Sequence, residues 1–484
     1  MGDKFENHDL FLALIAPTGT DLEPVVTCLK DQLQSVNYDL EVIRLSSGLP
    51  KPPAGSDEFD RIKHLMDAGD ELRKQHGHDA VLKLALNEVI EKRNAKKDTS
   101  RGTAYLFRSL KTPQEVYSLR ELYGKPFYAI SAFSAKERRI KNLTERFSTR
   151  DTKDTDANYL STRDETDSEK SNGQNVRDTF PLADLFLNVD KLGPAKEQVH
   201  RFVELIFGNT FNTPTKEEYG MFIAQGAALR SADLGRQVGA AIASPDGDIL
   251  SIGTNEVPLF GGGQFWPDYQ GPDPRDYVRD EDWNSKKLKE LVRDLLKRIG
   301  SGAESPVKLD HSQIEALMQD IFSESPPKHL KGAEILSVIG FYRSTHAETS
   351  AIVDAARRGV SIRNSHLFAT AFPCQECARH ILTAGIKRVF YIEPYPKSLA
   401  EEQYPDSIVV TSSGSPADKL SFEPFVGIAP RQYMWVFAKN KRKKKDGTVL
   451  RWIPTEARLR YGRPIDFFQK VEQQWAEQTK AQAK

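Results

Sequence analysis

Cysteine is scarce in this chain, whose 484 residues include only Cys28, Cys374 and Cys377. Three thiols cannot build the disulfide framework of a small secreted fold, and a chain this long can bury a sizeable core without one. Two of the three form a Cys-x-x-Cys pair, which in a reducing compartment is typical of metal binding or redox chemistry. Cys28 is most simply a small buried apolar residue.

Long apolar runs and a net charge are also missing. The apolar run 10–16 has the length of a strand, far short of a bilayer span. Residues 1–9 are polar and lack the apolar core of a signal peptide. Lys plus Arg and Asp plus Glu both number 68, so no overall charge attracts the chain to nucleic acid or to a membrane. We predict a soluble, cytoplasmic protein of two or three domains without membrane contact.

The first part of the sequence has the pattern of a parallel α/β sheet. The run 10–16 ends at a turn, as expected for a strand buried on both faces. A helix over 22–36 and a strand over 40–45 would complete a βαβ start. Further elements are expected as strands at 103–107, 126–131 and 182–189 and as helices at 113–122 and 194–207.

A polar segment interrupts this pattern. Residues 151–179 are rich in Asp, Thr, Arg, Ser, Lys and Asn and contain few apolar residues, which is typical of a mobile segment. Because a strand pattern resumes at 182–189, we interpret the segment as a mobile lid within one domain and not as a linker. The first domain is therefore predicted over residues 1–208.

Residues 209–484 predict a second α/β domain. A helix around 215–231 precedes a hairpin over 238–253. An insertion over 258–342, with several prolines, a triple glycine and two charged helical stretches, interrupts the domain. Its composition leaves open whether it holds oligomer contacts or a gate over a pocket. Further elements are expected as helices at 348–358 and 374–384 and as strands at 365–371 and 389–392.

The strongest chemical signal lies after the insertion. His346 and Glu348 precede Pro373, Cys374 and Cys377 in the pattern of zinc deaminases that act on cytosine or adenine rings. One imidazole and two thiolates suit Zn²⁺ and leave a fourth tetrahedral position for water. Zinc lowers the pKa of that water towards about 7, and Glu348 is placed to move its proton. We predict one catalytic Zn²⁺ per chain, bound by His346, Cys374 and Cys377.

Two other sites could use the same cysteines. A structural zinc site needs four ligands, and no third cysteine lies near enough in the sequence to supply one. A redox pair would leave the His-x-Glu motif without a role. Both alternatives therefore explain fewer of the residues than a catalytic zinc does.

From about Ser231 to Pro396 the chain resembles the deoxycytidylate deaminases, which have the cytidine-deaminase α/β/α fold. The resemblance is carried by the His-Ala-Glu and Pro-Cys-Gln-Glu-Cys motifs and by residues 236–240, 252–258 and 385–391. It implies that deoxycytidine nucleotides are the substrates and that Glu348 is the catalytic proton carrier.

The same resemblance implies several substrate contacts. Asn255 would contact the deoxyribose hydroxyl, although Asn is also common in turns after strands. Ala371 and Phe372 would offer backbone groups to the cytosine edge, and Tyr391 would lie in the base pocket. Arg236 suits either a phosphate contact or a surface ion pair, and the sequence leaves both open.

The whole chain resembles the bacterial antiviral deoxycytidine-nucleotide deaminases, which join an N-terminal P-loop-kinase-like domain to the catalytic domain. Segments 108–116, 119–124 and 175–184 carry this part of the resemblance. It implies conversion of dCTP and dCMP to dUTP and dUMP, depletion of nucleotide pools in antiphage defence, and an inhibitory non-coding RNA partner. It also implies a homo-oligomer, either a dimer or a hexamer.

The loop over 16–22 departs from a working phosphate loop. It has one glycine and no lysine, whereas that loop needs Gly-x-x-x-x-Gly-Lys-Ser/Thr. We therefore predict a regulatory or assembly role for the first domain and not ATP hydrolysis.

Two further functions remain as alternatives. One is a base deaminase that acts on RNA or single-stranded DNA, which needs a groove for flanking nucleotides. The other is a zinc-containing nucleotide- or RNA-binding regulator without turnover. The basic run 439–445, expected at the tip of a hairpin between 434–437 and 449–452, is either a solvated loop or a contact for RNA or polyphosphate.

Overall fold

The chain forms a mixed α/β structure with two six-stranded sheets. It separates into two compact units: the first unit comprises Met1–Phe222 and Pro424–Lys484, and the second unit comprises Ile223–Glu423. A computed structural model describes residues 8–96, 100–147, 150–165, 173–280, 282–301, 307–323, 326–327, 330, 333–395, 397–412, 414, 418–438 and 441–482.

The strands, in chain order, are β1 (Leu10–Ile15), β2 (Tyr38–Arg44), β3 (Gly102–Leu110), β4 (Phe127–Phe133), β5 (Leu185–Asn188), β6 (Gly239–Ala243), β7 (Ile249–Thr254), β8 (His366–Ala371), β9 (Arg388–Glu393), β10 (Ile408–Val410), β11 (Leu420–Pro424) and β12 (Gly427–Ile428).

The α-helices are α1 (Glu23–Ser35), α2 (Glu58–His76), α3 (Ala80–Ala95), α4 (Pro113–Tyr123), α5 (Lys136–Arg146), α6 (Lys153–Glu165), α7 (Val176–Thr179), α8 (Leu192–Ile206), α9 (Lys216–Ala228), α10 (Asp276–Arg279), α11 (Trp283–Ser301), α12 (His311–Ile321), α13 (Ala347–Arg358), α14 (Gln375–Thr383), α15 (Ala400–Gln403), α16 (Pro430–Val436) and α17 (Gln469–Gln482). Short 3₁₀ helices span Leu45–Gly48, Phe180–Leu182, Glu334–Ser337, Pro454–Glu456 and Ile465–Phe467.

The sheet of the first unit has the strand order β12-β5-β4-β1-β3-β2. Strands β5, β4, β1, β3 and β2 are parallel, and β12 joins the β5 edge in the antiparallel direction. Every residue of the central strand β1 is fully buried. Its alternate side chains enter two separate cores, one on each face of the sheet, because successive residues of a strand point to opposite faces. The prediction of a doubly covered parallel strand at 10–16 is confirmed.

The predicted lid over 151–179 contains two helices, α6 and α7, while residues 166–172 lie outside the described part of the chain. Helix α6 buries Ala157 and Leu160 in a small core with Phe59 and Leu143. Its other buried residues are polar, and Arg163 is held there by an ion pair of 2.6 Å with Asp70. Charged residues of the segment are buried in ion pairs, so its polar composition did not indicate that the segment packs against the rest of the first unit.

The C-terminal segment lies in the first unit, whereas the sequence interpretation assigned it to a catalytic domain over 209–484. Strand β12 pairs with β5, and Phe468 packs edge-on against Phe11 with ring centroids 5.3 Å apart. Residues 434–437, expected as a strand, lie at the end of helix α16. A Lys443–Val449 bridge closes a hairpin that includes the end of the basic run, of which residues 439–440 lie outside the described residues.

The sheet of the second unit has the strand order β10-β11-β9-β8-β6-β7. Strands β6 and β7 form the expected antiparallel hairpin, and β8 and β9 are parallel. Helix α13 packs closely on β7: a Cβ at Gly253 would lie 2.1 Å from the carbonyl oxygen of Ala347. A larger residue at 253 would therefore displace the first turn of α13, which carries the residues described below.

The insertion over 258–342 contains helices α10, α11 and α12. Val292, Ile314 and Met318 form a small core between α11 and α12. This confirms the two charged helical stretches that the sequence indicated. Among the helices of the described ranges, none combines the length and the apolar character needed to cross a membrane.

Candidate metal centre and its cavity

Two helix starts bring the predicted zinc ligands together. His346 is the N-cap residue of α13, and Cys374 is the N-cap residue of α14, which follows β8 after a short turn. Cys377 lies in the first turn of α14 and is fully buried. The N-terminus of a helix carries a partial positive charge, which favours thiolates at these positions.

The three side chains have the spacing of a zinc site. The Nδ1 atom of His346 lies 3.3 Å from Sγ of Cys374 and 3.4 Å from Sγ of Cys377. Tetrahedral zinc, with bonds of about 2.3 Å to sulfur and about 2.0 Å to nitrogen, holds such N and S atoms about 3.5 Å apart. All three candidate ligand atoms lie within 4.8 Å of one another. The residues therefore fit a zinc ion with one coordination position left open.

Glu348 lies beside this group but is not needed as a ligand. Its carboxylate accepts a hydrogen bond of 3.4 Å from Sγ of Cys377 and is buried in the first turn of α13. Burial raises the pKa of the Glu348 carboxyl above its usual range. A raised pKa makes the carboxyl a better proton acceptor than an exposed glutamate, which suits a general acid and base.

Hydrogen bonds within the group favour the ligand form of Cys374. The thiol of Cys377 is the main cause that lowers the pKa of Cys374 to about 4, and His346 acts in the same direction. The hydrogen bond with Cys374 raises the pKa of His346 to about 9. The contact with Cys374 also raises the pKa of the Cys377 thiol above its usual range. Because zinc binds thiolate and neutral imidazole, Cys374 is already in its ligand form, whereas Cys377 and His346 lose a proton when the metal binds.

A cavity of about 450 Å³ opens onto these residues. That volume lies within the usual range of about 300–1,000 Å³ for small-molecule sites. The predicted residues that line the cavity are His346, Glu348, Cys374, Asn255, Arg236, Ala371 and Phe372. Cys377 and Tyr391 are not part of its wall; Tyr391 packs edge-on against Phe372 with ring centroids 4.8 Å apart.

Asn255 supports the wall of the cavity through its side-chain amide. Its Oδ1 accepts a hydrogen bond of 2.7 Å from the backbone N–H of Val238, and its Nδ2 donates to the carbonyl of Arg236 at 2.6 Å. The amide therefore braces the backbone over 236–238, and this bracing accounts for its burial at the end of β7.

Phe372 and Arg236 already have partners within the second unit. The backbone N–H of Phe372 donates a hydrogen bond of 2.8 Å to the carbonyl of Glu393, which extends the pairing of β8 with β9. The side chain of Arg236 is largely exposed and lies 3.5 Å from the carboxylate of Glu393. An exposed ion pair of this kind is weak, so an anionic ligand could compete for the guanidinium.

Several residues of the cavity wall were not predicted from the sequence. Tyr395 and Lys397 follow the carboxyl end of β9, beside the carboxyl end of β8. The rule that ligands bind outside the carboxyl ends of parallel strands could have indicated them. The insertion supplies others, including Asn284, Val338 and Tyr342. Asn284 lies far along the chain from the motif residues. Val338 and Tyr342 lie close to His346 but belong to no motif, so no sequence pattern marked them.

Residues 214–393 match the family model for the cytidine and deoxycytidylate deaminase zinc-binding region. The matched segment contains all three candidate ligands together with Glu348. This finding confirms the prediction of a deaminase-type zinc-binding region in the second half of the chain.

Curated relatives match over a short part of the chain. The deoxycytidylate deaminase of Enterobacteria phage T4 is 45% identical over 53 residues, which cover 11% of this chain and 28% of the phage protein. ComE operon protein 2 of Bacillus subtilis (strain 168) is 37% identical over 65 residues, which cover 12% of this chain and 34% of that protein. The chain thus spans about a fifth to a third of the length of the curated relatives that it matches.

The dCMP deaminase of cyanophage S-TIM5, in complex with dCMP and dUMP, aligns with 44% of this chain and 99% of its own, at 19% identity and a TM-score of 0.23.

Proposed function

We propose that the protein is a zinc-dependent hydrolytic deaminase of deoxycytidine nucleotides, which converts dCTP and dCMP to dUTP and dUMP. The observation that carries the proposal is the group formed by His346, Cys374 and Cys377, with the buried carboxyl of Glu348 beside it. A redox pair would not need a buried carboxyl at this position. A structural zinc site would not open onto a cavity of about 450 Å³.

The residues divide the chemistry between them. His346, Cys374 and Cys377 would bind the zinc ion, which when bound supplies an activated water at neutral pH. Glu348 would carry the proton of that water to the ring nitrogen next to the amino-bearing carbon, and then to the departing ammonia. Burial supports this role because it raises the pKa of the carboxyl and so keeps the carried proton from being lost too early.

Substrate recognition would depend on the remaining wall of the cavity. The aromatic side chains of Tyr342, Tyr395 and Phe372 offer flat apolar surfaces to a pyrimidine ring. Arg236 and Lys397 are two cationic groups of the same wall and suit the phosphates of a nucleotide. Deoxycytidine nucleotides therefore fit the wall better than free cytosine or deoxycytidine does.

The wider biological role rests on the resemblance of the whole chain. The proposal includes depletion of nucleotide pools in antiphage defence and inhibition by a non-coding RNA. It also includes assembly into a dimer or hexamer and a P-loop-kinase-like first unit. The T4 and T2 relatives are themselves phage deoxycytidylate deaminases, so the same chemistry also serves phages.

Ammonia release by the purified protein tests the activity. The substrates are dCMP, dCTP, CMP, CTP, deoxycytidine and a cytosine-containing oligonucleotide, and the negative control is Glu348→Gln. Glu376→Gln is the matched control, because Glu376 lies between the two cysteine ligands but is exposed and paired with Arg379 at 2.8 Å. We expect turnover of dCMP or dCTP by the wild type and the matched control, and none by Glu348→Gln.

Two results would contradict the proposal. Turnover of the oligonucleotide alone would assign the site to nucleic-acid editing. Bound zinc with no ammonia release from any substrate would favour a binding protein without turnover.

A further inference from the structure

A second cavity, of about 420 Å³, lies in the first unit at the carboxyl ends of three parallel strands. Thr18 follows the end of β1, Arg44 ends β2, and Arg108 and Lys111 lie at the end of β3. The crevice outside the carboxyl ends of the strands is where open α/β sheets bind their ligands. The position of this cavity therefore suits ligand binding by the first unit, independently of the activity of the second unit.

The wall of the cavity carries more basic than acidic side chains. Six of its wall residues are basic and two are acidic; the basic ones are Arg44, Arg61, Arg73, Arg108, Lys111 and Arg146. Of the two acidic residues, Glu23 forms an ion pair of 2.6 Å with Arg108, and Glu115 is fully buried. Four of the six basic groups lie against carboxylates, in the pairs Arg61–Glu58, Arg73–Asp70, Arg108–Glu23 and Lys111–Asp164. Among the described residues, Arg44 and Arg146 form no such ion pair, and an anion in the cavity would compensate their charge.

Some polar groups of the wall have no partner. Within the part of the chain that the structure describes, Arg44 forms no ion pair. Gln174 is 8% exposed, and its Oε1 atom has no hydrogen-bond partner. Arg73, 3% exposed, likewise has an unpartnered Nε atom. Buried polar atoms are rarely left unsatisfied. The Nε of Arg73 can donate to an anion, whereas the Oε1 of Gln174 and the unpartnered Oε1 of Glu115 are acceptors that need a donor, such as a hydroxyl or amino group of a ligand.

A strained backbone position lies in the same wall. The pairing of β1 with β3 skips Ser109, because Leu14 pairs with Arg108 and Ile15 with Leu110. The skipped residue has a φ of 72°, in the left-handed region that side-chain-bearing residues seldom adopt. Bulges and strained residues of this kind are concentrated at functional sites, where they redirect a side chain.

The loop after β1 is itself closed to phosphate. The backbone N–H of Thr18 donates a hydrogen bond of 2.6 Å to the buried carboxylate of Asp164, which also lies 2.7 Å from Nζ of Lys111. A carboxylate of the chain thus takes the place in which a phosphate loop would hold its anion. An anionic ligand of the cavity must therefore be held by the arginines.

We propose that this cavity binds a nucleoside polyphosphate, whose phosphates contact Arg44, Arg108 and Arg146. The wall also has an apolar part, which includes Leu49 and Leu65. Guanidinium groups match phosphates, and an apolar surface suits a base. A nucleotide uses both parts of the wall, whereas an inorganic polyphosphate uses only one.

Equilibrium dialysis of the full chain tests the site. The protein carries Glu348→Gln to prevent turnover, and the probes are ATP, GTP and inorganic tripolyphosphate, none of which contains cytosine. The test variant adds Arg44→Ala and Arg146→Ala, two exposed positions whose loss should not unfold the protein. The matched control adds Arg138→Ala, an exposed arginine of the same unit outside the cavity.

We expect ATP or GTP to bind at one site per chain. The affinity should be at least about tenfold weaker in the test variant, because each charge-assisted bond to phosphate is strong. It should be unchanged in the control. Tripolyphosphate should bind more weakly than the nucleotide. Three results would overturn the proposal: no nucleotide bound to the wild-type cavity, equal binding by the two variants, or tripolyphosphate bound as tightly as the nucleotides. Equal melting temperatures of the two variants show that any difference arises from binding.

Discussion

Arg93 and Glu472 form an ion pair between α3 and the C-terminal helix α17, although 379 residues separate them in the chain. The carboxylate of Glu472 is fully buried and also accepts a hydrogen bond of 2.5 Å from the hydroxyl of Tyr123 on α4. Arg93 makes a further ion pair of 3.0 Å with Asp9. This network fastens the last helix of the chain to the first unit.

The first prediction concerns the stability of that unit. Arg93→Ala leaves the buried carboxylate of Glu472 without its cation, which should lower the free energy of unfolding by roughly 3–5 kcal/mol. Urea denaturation followed by circular dichroism measures the change. Arg138→Ala, which removes an exposed ion pair with Asp190, should cost less than about 1 kcal/mol. Equal losses in the two variants would show that the buried network is not structurally important.

The second prediction concerns the proton carrier. Glu348→Gln should lower the rate of ammonia release by a factor of at least about 10², because general acid and base catalysis contributes about 10²–10⁴. The variant should still contain zinc, since Glu348 is not needed as a ligand. Metal analysis beside the kinetic assay distinguishes the two roles. Loss of zinc together with activity would mean that Glu348 holds the metal.

The third prediction concerns zinc itself. A chelator should abolish ammonia release, and added Zn²⁺ should restore it, because only the metal can activate the water. Cys377→Ala should lack both zinc and activity. Cys28→Ala is the matched control, because Cys28 is a buried cysteine of the first unit with no part in the metal centre. Full activity of the chelated protein or of Cys377→Ala would refute a catalytic zinc.

The fourth prediction distinguishes bracing from substrate contact at Asn255. Asn255→Ala removes two hydrogen bonds to the backbone of 236–238, which should lower the stability of the second unit by about 1–3 kcal/mol. Thermal denaturation without substrate measures this loss. Thr383→Ala removes one exposed hydrogen bond to the carbonyl of Arg379 and should have little effect. An unchanged melting temperature for Asn255→Ala, with a raised KM, would favour a direct contact with substrate.

Local patterns predicted the elements that surround the metal centre. The apolar run 10–16 became β1, and the hairpin over 238–253 became β6 and β7. The helices that carry His346 and Cys374 begin within one residue of the positions expected. Metal ligands cluster in short motifs and helix starts follow local rules, so both are readable from the sequence.

Features that depend on distant contacts were not predictable in this way. The bracing by Asn255 depends on the approach of β7 to residues 236–238. The share of the insertion in the cavity depends on how the segment with Asn284 folds back towards His346. Helix α17 pairs Glu472 with a residue at the other end of the sequence. No local pattern records such pairings, because each depends on the folded arrangement of the whole unit.

The division of the chain into units has a consequence for its synthesis. The second unit, Ile223–Glu423, interrupts the first, whose final strand and helix come from Pro424–Lys484. Chains emerge from the ribosome N-terminus first, at about 5–20 residues per second. Strand β5 and helix α3, which pair with β12 and α17, are therefore translated first. They lack these partners for up to a few tens of seconds, while the second unit is translated. The unit that starts the chain is thus the last one that can be finished.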